Sequence, residues 1–559
     1  MGSSRRRSSN RRGRTLRPPP SHPPDGVARA EPALERRLLQ RATRALSHTA
    51  VAAALDGFAA KVLAEVLPRQ RWFGGQGRRI DAVSVLDTAV FAAGTAGAWL
   101  VLLDVAFEEA PSETFFVPLT VRSDGAPTGE VFGRLDLGGA SARVADAFDD
   151  PDFCSELLVA FDAGLTLRAR HGTVRFVRTP AFPGLDAGEV PPPRRLRGEQ
   201  SNTSVAFGDV LVLKSYRNPV RGINPEREMT GFLTARGRFA AVPQLAGAAE
   251  YAGADGTVMT LAVLQTFIRG CGDGWTWVLG ELESLRDRVI TRARREPVDA
   301  SRLGAIVRDE ASSLLGALGR LGRLTGGLHD ALAADPADPA FAPQPISVED
   351  TAAWAARIDT DLGRTCDLLR ARLAALPEAA QRSAGAVLAG EAALRACLGG
   401  LEALAVDRCS KIRVHGDYHL GQTIRTDGGF VVLDFEGEPA RPPAERRAKQ
   451  SPLRDVAGML RSFDYAASTA FGSSEELAGV GDAWRDLAAA AFLDQYVDVA
   501  SRARVRLVPA SQLALDRVLR VFELDKALYE VRYEIDHRPA WVGVPLRGLH
   551  RLSVQGPAR

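Results

Sequence analysis

The sequence predicts an α+β protein: a first α+β unit, then a small β-rich lobe, then a large helical lobe. Three observations predict it. Short runs rich in Val, Leu, Phe and Thr, bounded by turn residues, recur within 98–121 and 204–268. Apolar residues follow a period near 3.6 from Gly274 to Gly400 and again from Trp484 to Asp536. Between the first unit and the rest, D-A-G-E-V-P-P-P-R-R-L-R at 186–197 joins a proline triplet to basic residues, the composition of an exposed connector. These marks divide the 559 residues, too many for one core, into a basic tail (1–33), a first unit (34–190), a β-rich lobe (191–272), a helical lobe (273–550) and a short C-terminal tail (551–559).

Each element has its local reason. A helical lead-in runs from Leu34 to Leu67, before L-P-R-Q-R-W-F-G-G-Q-G-R at 67–78. Ala98–Phe107 and Glu113–Val121 read as strands of a small sheet. In the next unit Ser204–Phe207 and Val210–Lys214 are extended runs joined by Gly208-Asp209, a hairpin turn pair. Asn224-Pro225 then opens a helix whose Met229, Phe232 and Leu233 share a face. Leu261–Ile268 is a further strand.

Composition excludes several classes. With 45% hydrophobic and 25% charged residues the chain is an ordinary globular one. Its longest apolar stretch, Ala89–Leu103, is broken by Gly94, Thr95 and Gly97, short of the roughly 20 residues a bilayer needs, so no membrane partner is expected. Net charge is +3, but residues 1–30 hold eight Arg against Asp25 alone, so the rest of the chain carries −4. A mildly acidic body does not suit nucleic acid. Five scattered cysteines imply no disulfide framework, and His415 and His419 lack a close Cys pair to complete a zinc site with Cys409. Free thiols and the absence of a signal segment lead to a cytoplasmic expectation, with a monomer favoured.

The chemistry concentrates in K-I-R-V-H-G-D-Y-H-L-G-Q-T-I-R-T-D-G-G-F-V-V-L-D-F-E-G-E, 411–438. Asp417 and Asp434 are separated by a loop and a short apolar strand, Phe430–Leu433, and Gln422 follows Asp417 by five residues. Phosphoryl transfer needs one carboxylate to orient an attacking hydroxyl and a second, with an amide oxygen, to hold magnesium against nucleotide phosphates. Asp417 suits the first task, Asp434 and Gln422 the second. The order H-G-D, Gln, then D-F-E parallels the kinase pattern H-R-D, Asn, D-F-G. Upstream, Lys214 ends V-L-V-L-K as a strand cation for the phosphates, and Glu228 is chosen over Glu226 as its helix partner because Phe232 lies one turn on along the same face. Ser201, Asn202, Thr203 and Ser204, in G-E-Q-S-N-T-S, are donors to phosphate oxygens. Gln265 and Phe267 stand where a strand leads into the adenine hinge.

At these residues the chain resembles the actinobacterial maltokinases. The resemblance is carried by R-W-F-G-G (71–75), E-Q-S-N-T-S (199–204), N-P-E-R-E (224–228), V-H-G-D-Y-H-L-G-Q (414–422), D-F-E-G-E-P (434–439), L-R-D-V-A-G-M-L-R-S-F-D-Y-A-A (453–467) and D-K-A-L-Y-E-V-R-Y-E (525–534). It implies a bilobal protein-kinase-like fold with an N-terminal cap leaning on a small nucleotide lobe above an α-helical C-lobe. It further implies ATP and Mg2+ as cofactors, and transfer of the γ-phosphoryl group to the anomeric hydroxyl of maltose, giving maltose 1-phosphate for α-glucan synthesis. A trehalose synthase is the pathway partner the family suggests. Gln76 stands where the family more often has Lys.

Lys526, Tyr529, Glu530 and Tyr533, at i, i+3, i+4 and i+7, share one helix face. Spacing alone fits a core aromatic stripe as well as a sugar platform; the resemblance assigns them, with His415, to the substrate. Arg454 and Asp455 are expected to brace the catalytic loop. Two alternatives remain. One is the same fold acting on glucosamine or another sugar. The other is an inactive scaffold, which would have no need of the full set Lys214, Glu228, Asp417, Gln422 and Asp434.

Overall fold

The computed structural model describes residues 48–554 apart from 75–77, 94–95, 123–128, 137–140, 186–190, 197–200, 294–299, 440 and 473–474. The tail 1–33, Gln76, and Gly198 to Gln200 of the phosphate-loop motif lie outside the described residues.

The first unit is a six-stranded sheet, β1 (Ile80–Ala93), β2 (Ala96–Phe107), β3 (Ala110–Phe116), β4 (Leu119–Arg122), β5 (Val131–Asp136) and β6 (Ser141–Asp146), in the order β1-β2-β4-β6-β5 with β3 also on β2. The run expected as one strand over 113–121 is two, because Pro118 offers no N–H to a ladder. The long apolar stretch belongs to strands buried on both faces. Trp99, Val101, Leu103 and Val105 enter a core closed by helix α1 (His48–Phe58), while Ala98, Leu100 and Leu102 enter a second core beneath helix α2 (Pro151–Asp162). Among the described residues no single helix is long and apolar enough to cross a membrane.

The second core is shared with the next sheet. Phe91, Leu100 and Phe153 pack with Val205, Phe207, Leu213 and Leu261 in one cluster, so the cap and the lobe are held together by apolar burial. That sheet comprises β7 (Thr166–Arg168), β8 (Gly172–Arg178), β9 (Pro193–Leu196), β10 (Asn202–Phe207), β11 (Leu211–Tyr216), β12 (Leu245–Gly253) and β13 (Val258–Thr266), ordered β7-β8-β12-β13-β11-β10-β9. Residues 166–178, which sequence patterning places in the first unit, belong to this sheet: 172–178 pair with β12, and 166–168 pair with 173–175. The proline connector marks a loop, and long-range pairing overrides it as a boundary. Helix α3 (Pro225–Arg236) crosses the sheet, its N-terminus capped by Asn224, whose side chain accepts from the Arg227 N–H at 3.0 Å.

The large lobe is built on α4 (Gly274–Ala293), α5 (Ser312–Leu332), α6 (Val348–Arg372), α7 (Leu453–Phe471), α8 (Glu475–Ala500), α9 (Gln512–His537) and α10 (Gly543–Val554), with shorter helices between. The last helix takes in 551–554, beyond the limit at 550 that the sequence predicts for this lobe. A hairpin, β14 (Thr423–Thr426) and β15 (Gly429–Val432), carries the loop between Asp417 and Asp434.

Candidate active site

Strand alternation sets the first half of the site. Ser204 pairs with Lys214 across β10 and β11, so both face the cleft, and Thr203 and Val205 face the cap. Lys214 is buried, and its Nζ donates to Glu226 at 3.0 Å and Asp434 at 2.6 Å, with Glu436 also at 2.6 Å. Burial alone would lower its pKa; the surrounding carboxylates raise it well above the ordinary lysine value. An amine from the early sheet and acids from the late loop therefore meet at one point.

The helix partner is Glu226, not Glu228, which corrects the sequence expectation. Glu226 also accepts from Tyr216 Oη at 2.8 Å and Gln265 Nε2 at 3.1 Å. Glu228 turns to the C-lobe, accepting from Arg413 at 2.5 Å and from Arg447 at 2.7 and 3.0 Å. Phe232, the residue used to choose between them, stacks on Phe341 with centroids 3.7 Å apart. The Phe232 face thus points at the helical lobe, and residues two apart on a helix point nearly opposite ways. Glu226→Gln is expected to lower kcat/KM for nucleotide about 100-fold, whereas Glu228→Gln should mainly lower stability, by about 2 kcal/mol, through lost charged hydrogen bonds. Steady-state kinetics and thermal melts on both variants distinguish them.

Asp434 has φ of +62°, the left-handed region that non-glycine residues rarely occupy. That turn aims its carboxylate back at Lys214 and Gln422, whose Nε2 donates to Oδ2 at 3.0 Å. Burial would raise the Asp434 pKa, but Lys214 more than offsets it and the net shift is downward. Oxygen donors of Glu226, Asp434 and Glu436 lie within 4.8 Å of one another, the hard donor set that suits magnesium.

Asp417 lies on the loop after Gly416, whose φ is +85° and where an added Cβ would come to 3.4 Å from Gly437 Cα. Helix α7 fixes this loop. Asp455 accepts from the His415 and Gly416 amides at 2.8 and 2.9 Å, and Gly458 allows Tyr418 O so close that a Cβ there would lie 2.6 Å from it. Lys526 of α9 donates to Asp417 at 2.9 Å and to Glu438 at 2.7 Å. Burial would raise the Asp417 pKa, but Lys526 and then His419 hold it at about 2.

The other expected residues divide. Tyr529 is half-buried beside Lys526, whose Nζ is 4.9 Å from its ring centroid, and Tyr533, 40% exposed, continues the stripe with centroids 6.2 Å apart. Glu530, 100° round the helix from Tyr529, leaves this face: Arg461 donates to it at 2.7 and 3.0 Å in the core. His415 is also moved off the substrate side, since its ring is buried with Nε2 at 2.7 Å from Leu433 O. Thr203 faces the cap, where its hydroxyl accepts from Arg217 Nε at 2.7 Å. Asn202 donates to Glu436 at 3.1 Å, Ser201 is exposed, and the buried Ser204 Oγ has no hydrogen-bond partner among the described residues. Gln265 holds Glu226, and the Phe267 N–H donates to Val210 O at 2.8 Å, at the end of β13. Glu436 and Glu438 went unassigned in the sequence; their alternation with Asp434 in D-F-E-G-E was the signal that all three face one cleft.

A two-lobed kinase-like fold with a strand lysine, a helix glutamate and two loop aspartates around one cleft defines a phosphotransferase. The maltokinase N-terminal cap domain family matches residues 67–150. A glucosamine kinase of Streptacidiphilus jiangxiensis is 31% identical over 369 residues, 65% of this chain and 74% of that protein. One from Mycolicibacterium smegmatis is 29% identical over 367 residues, 65% and 80% of the two chains. Among solved structures, a glucosamine kinase in complex with glucosamine, ADP and inorganic phosphate has a TM-score of 0.56 at 24% identity, over 85% of this chain and 93% of that one. The chain belongs to the glucosamine kinase family, maltokinase-like sugar kinases that act on a sugar hydroxyl.

Proposed function

We propose that the chain transfers the γ-phosphoryl group of ATP to the anomeric hydroxyl of maltose, giving maltose 1-phosphate for α-glucan synthesis. The observation that carries the sugar assignment is Lys526. Its ammonium fills the space between Asp417 and Glu438 and stands beside Tyr529, on the face that Tyr533 continues. Aromatic rings there pack on a pyranose, and Lys526 with the Asp417 and Glu438 carboxylates offers polar partners to its hydroxyls.

In this reading Lys214, held by Glu226, neutralises and orients the triphosphate, and Ser204 supports it from the sheet. Asp434 and Gln422, with Glu436 in reach, would hold a magnesium ion, which would supply charge neutralisation on the transferred group. Asp417 hydrogen-bonds the attacking hydroxyl. With a pKa of about 2 it is a weak base, so it orients the hydroxyl and receives the proton only as the new P–O bond forms. A cytoplasmic location, where ATP and magnesium are supplied, and a trehalose synthase partner accompany this assignment.

The second reading, glucosamine as acceptor, is favoured by the relatives from Streptacidiphilus jiangxiensis and Mycolicibacterium smegmatis, both glucosamine kinases. Acceptor profiling separates them. Purified protein is expected to use maltose with kcat/KM larger than for glucosamine by a factor on the order of 10⁴, the discrimination available to a site that pairs particular polar groups. A preference for glucosamine overturns the maltose assignment and leaves the kinase assignment standing.

A further inference from the structure

A cavity of about 610 Å³ lies between the cap and the β9–β10 edge of the lobe sheet. Arg71, Trp72, Phe148 and Asp149 line it from the cap, and Arg195 and Asn202 from the strands. Arg195 pairs with Val205 across β9 and β10, so its side chain is on the cap face, opposite Lys214. A ligand here is therefore not the nucleotide of the cleft. A volume of this order holds a small organic molecule, in the range of roughly 300–1,000 Å³ for such pockets.

The chemistry of the walls selects the ligand. Behind Trp72 and Phe148 lies Arg217, fully buried, its guanidinium 4.5 Å and 4.8 Å from their ring centroids. Arg217 donates to Asp146 at 2.5 Å, but its Nη1 has no hydrogen-bond partner among the described residues. The buried indole Nε1 of Trp72, itself a wall residue, has none either. Both atoms lie behind the wall, without accessible surface, so the ligand is selected by the groups that do line the cavity. Their charge is basic. Arg195 is paired with Asp149, whereas Arg71 has no acidic partner among the described residues, leaving the guanidinium groups in excess of the carboxylates. Trp72 and Phe148 add aromatic surface suited to a sugar ring.

We propose that this cavity is a second ligand site, separate from the cleft, that binds a phosphate ester of a small sugar. Its floor is coupled to the catalytic residues through one strand: Thr203 accepts from Arg217, and the adjacent Asn202 donates to Glu436 beside Lys214. Occupancy therefore changes nucleotide affinity, and nucleotide changes the affinity of the ester by the same factor.

The test is calorimetric titration of the full chain, with the cleft filled by magnesium and a non-hydrolysable ATP analogue, using glucose 1-phosphate, inorganic phosphate and glucose as separate probes. Glucose 1-phosphate is expected to bind, to bind at least tenfold more weakly to Arg71→Glu, and to outcompete both other probes. Turnover of Arg71→Glu without the ester should match that of the unmodified chain. Cys154→Met, which narrows the same cavity from its wall, should also weaken binding. Absence of binding, equal affinity for inorganic phosphate, or binding indifferent to both substitutions would overturn the assignment. Because turnover is read separately, none of these outcomes bears on the cleft.

Discussion

Asp417→Asn is expected to lower kcat by about 10²–10⁴-fold, the range for losing a positioned acid–base group, with nucleotide affinity nearly unchanged. The substitution keeps the shape of the side chain and its reach toward the acceptor. It removes the charge that Lys526 faces at 2.9 Å and the oxygen that receives the hydroxyl proton. Lys214 and Asp434 bond each other and not Asp417, so magnesium-nucleotide should still raise the melting temperature by the amount seen with the unmodified chain. Kinetics and melts together decide the point. Full turnover in the variant would remove Asp417 from the chemistry, and lost nucleotide stabilisation would show that it holds the cleft together instead.

Lys214→Met should be the most damaging single change, because it strikes both activity and folding. Without the ammonium, the carboxylates of Glu226, Asp434 and Glu436, with oxygens within 4.8 Å of one another, share a buried site with no cation. Breaking a buried pair this way costs about 3–5 kcal/mol, and phosphate binding loses its fixed cation. The pH dependence has a definite sign. Burial already raises the Glu436 pKa above its ordinary value even against the pull of Lys214, and the variant removes that pull. A carboxyl whose folded pKa exceeds its unfolded value favours the folded state below the unfolded pKa and ceases to do so as pH rises through the folded one. The variant should therefore be least stable, relative to the unmodified chain, near neutral pH, and recover as pH falls. Millimolar magnesium should raise its melting temperature more than that of the unmodified chain. A uniform destabilisation, indifferent to pH and magnesium, would mean that the three acids do not share one site.

Much of this site was legible in the chain. The pair Asp417 and Asp434, with Gln422 and a strand between, and Lys214 at the end of an apolar run, are local patterns whose spacing reflects loop and strand lengths. Period-2 and period-3.6 patterning likewise separated the β-rich lobe from the helical one. Other assignments depended on the angle at which one element docks on another. Glu226 and Glu228 open the same helix with equal claim to Lys214, and only the packing of Phe232 on Phe341 chooses between them. Glu530 shares a helical stripe with Lys526, yet Arg461 on a neighbouring helix draws it into the core. Residues 172–178 precede the proline connector and still pair across it. Sequence by itself determined which chemical groups the chain carries and the elements that present them, since propensity, periodicity and turn chemistry act over a few neighbouring residues. The tertiary structure alone decided which groups meet, because hydrogen bonds, ion pairs and strand ladders are fixed by burial and orientation between segments as much as 234 residues apart.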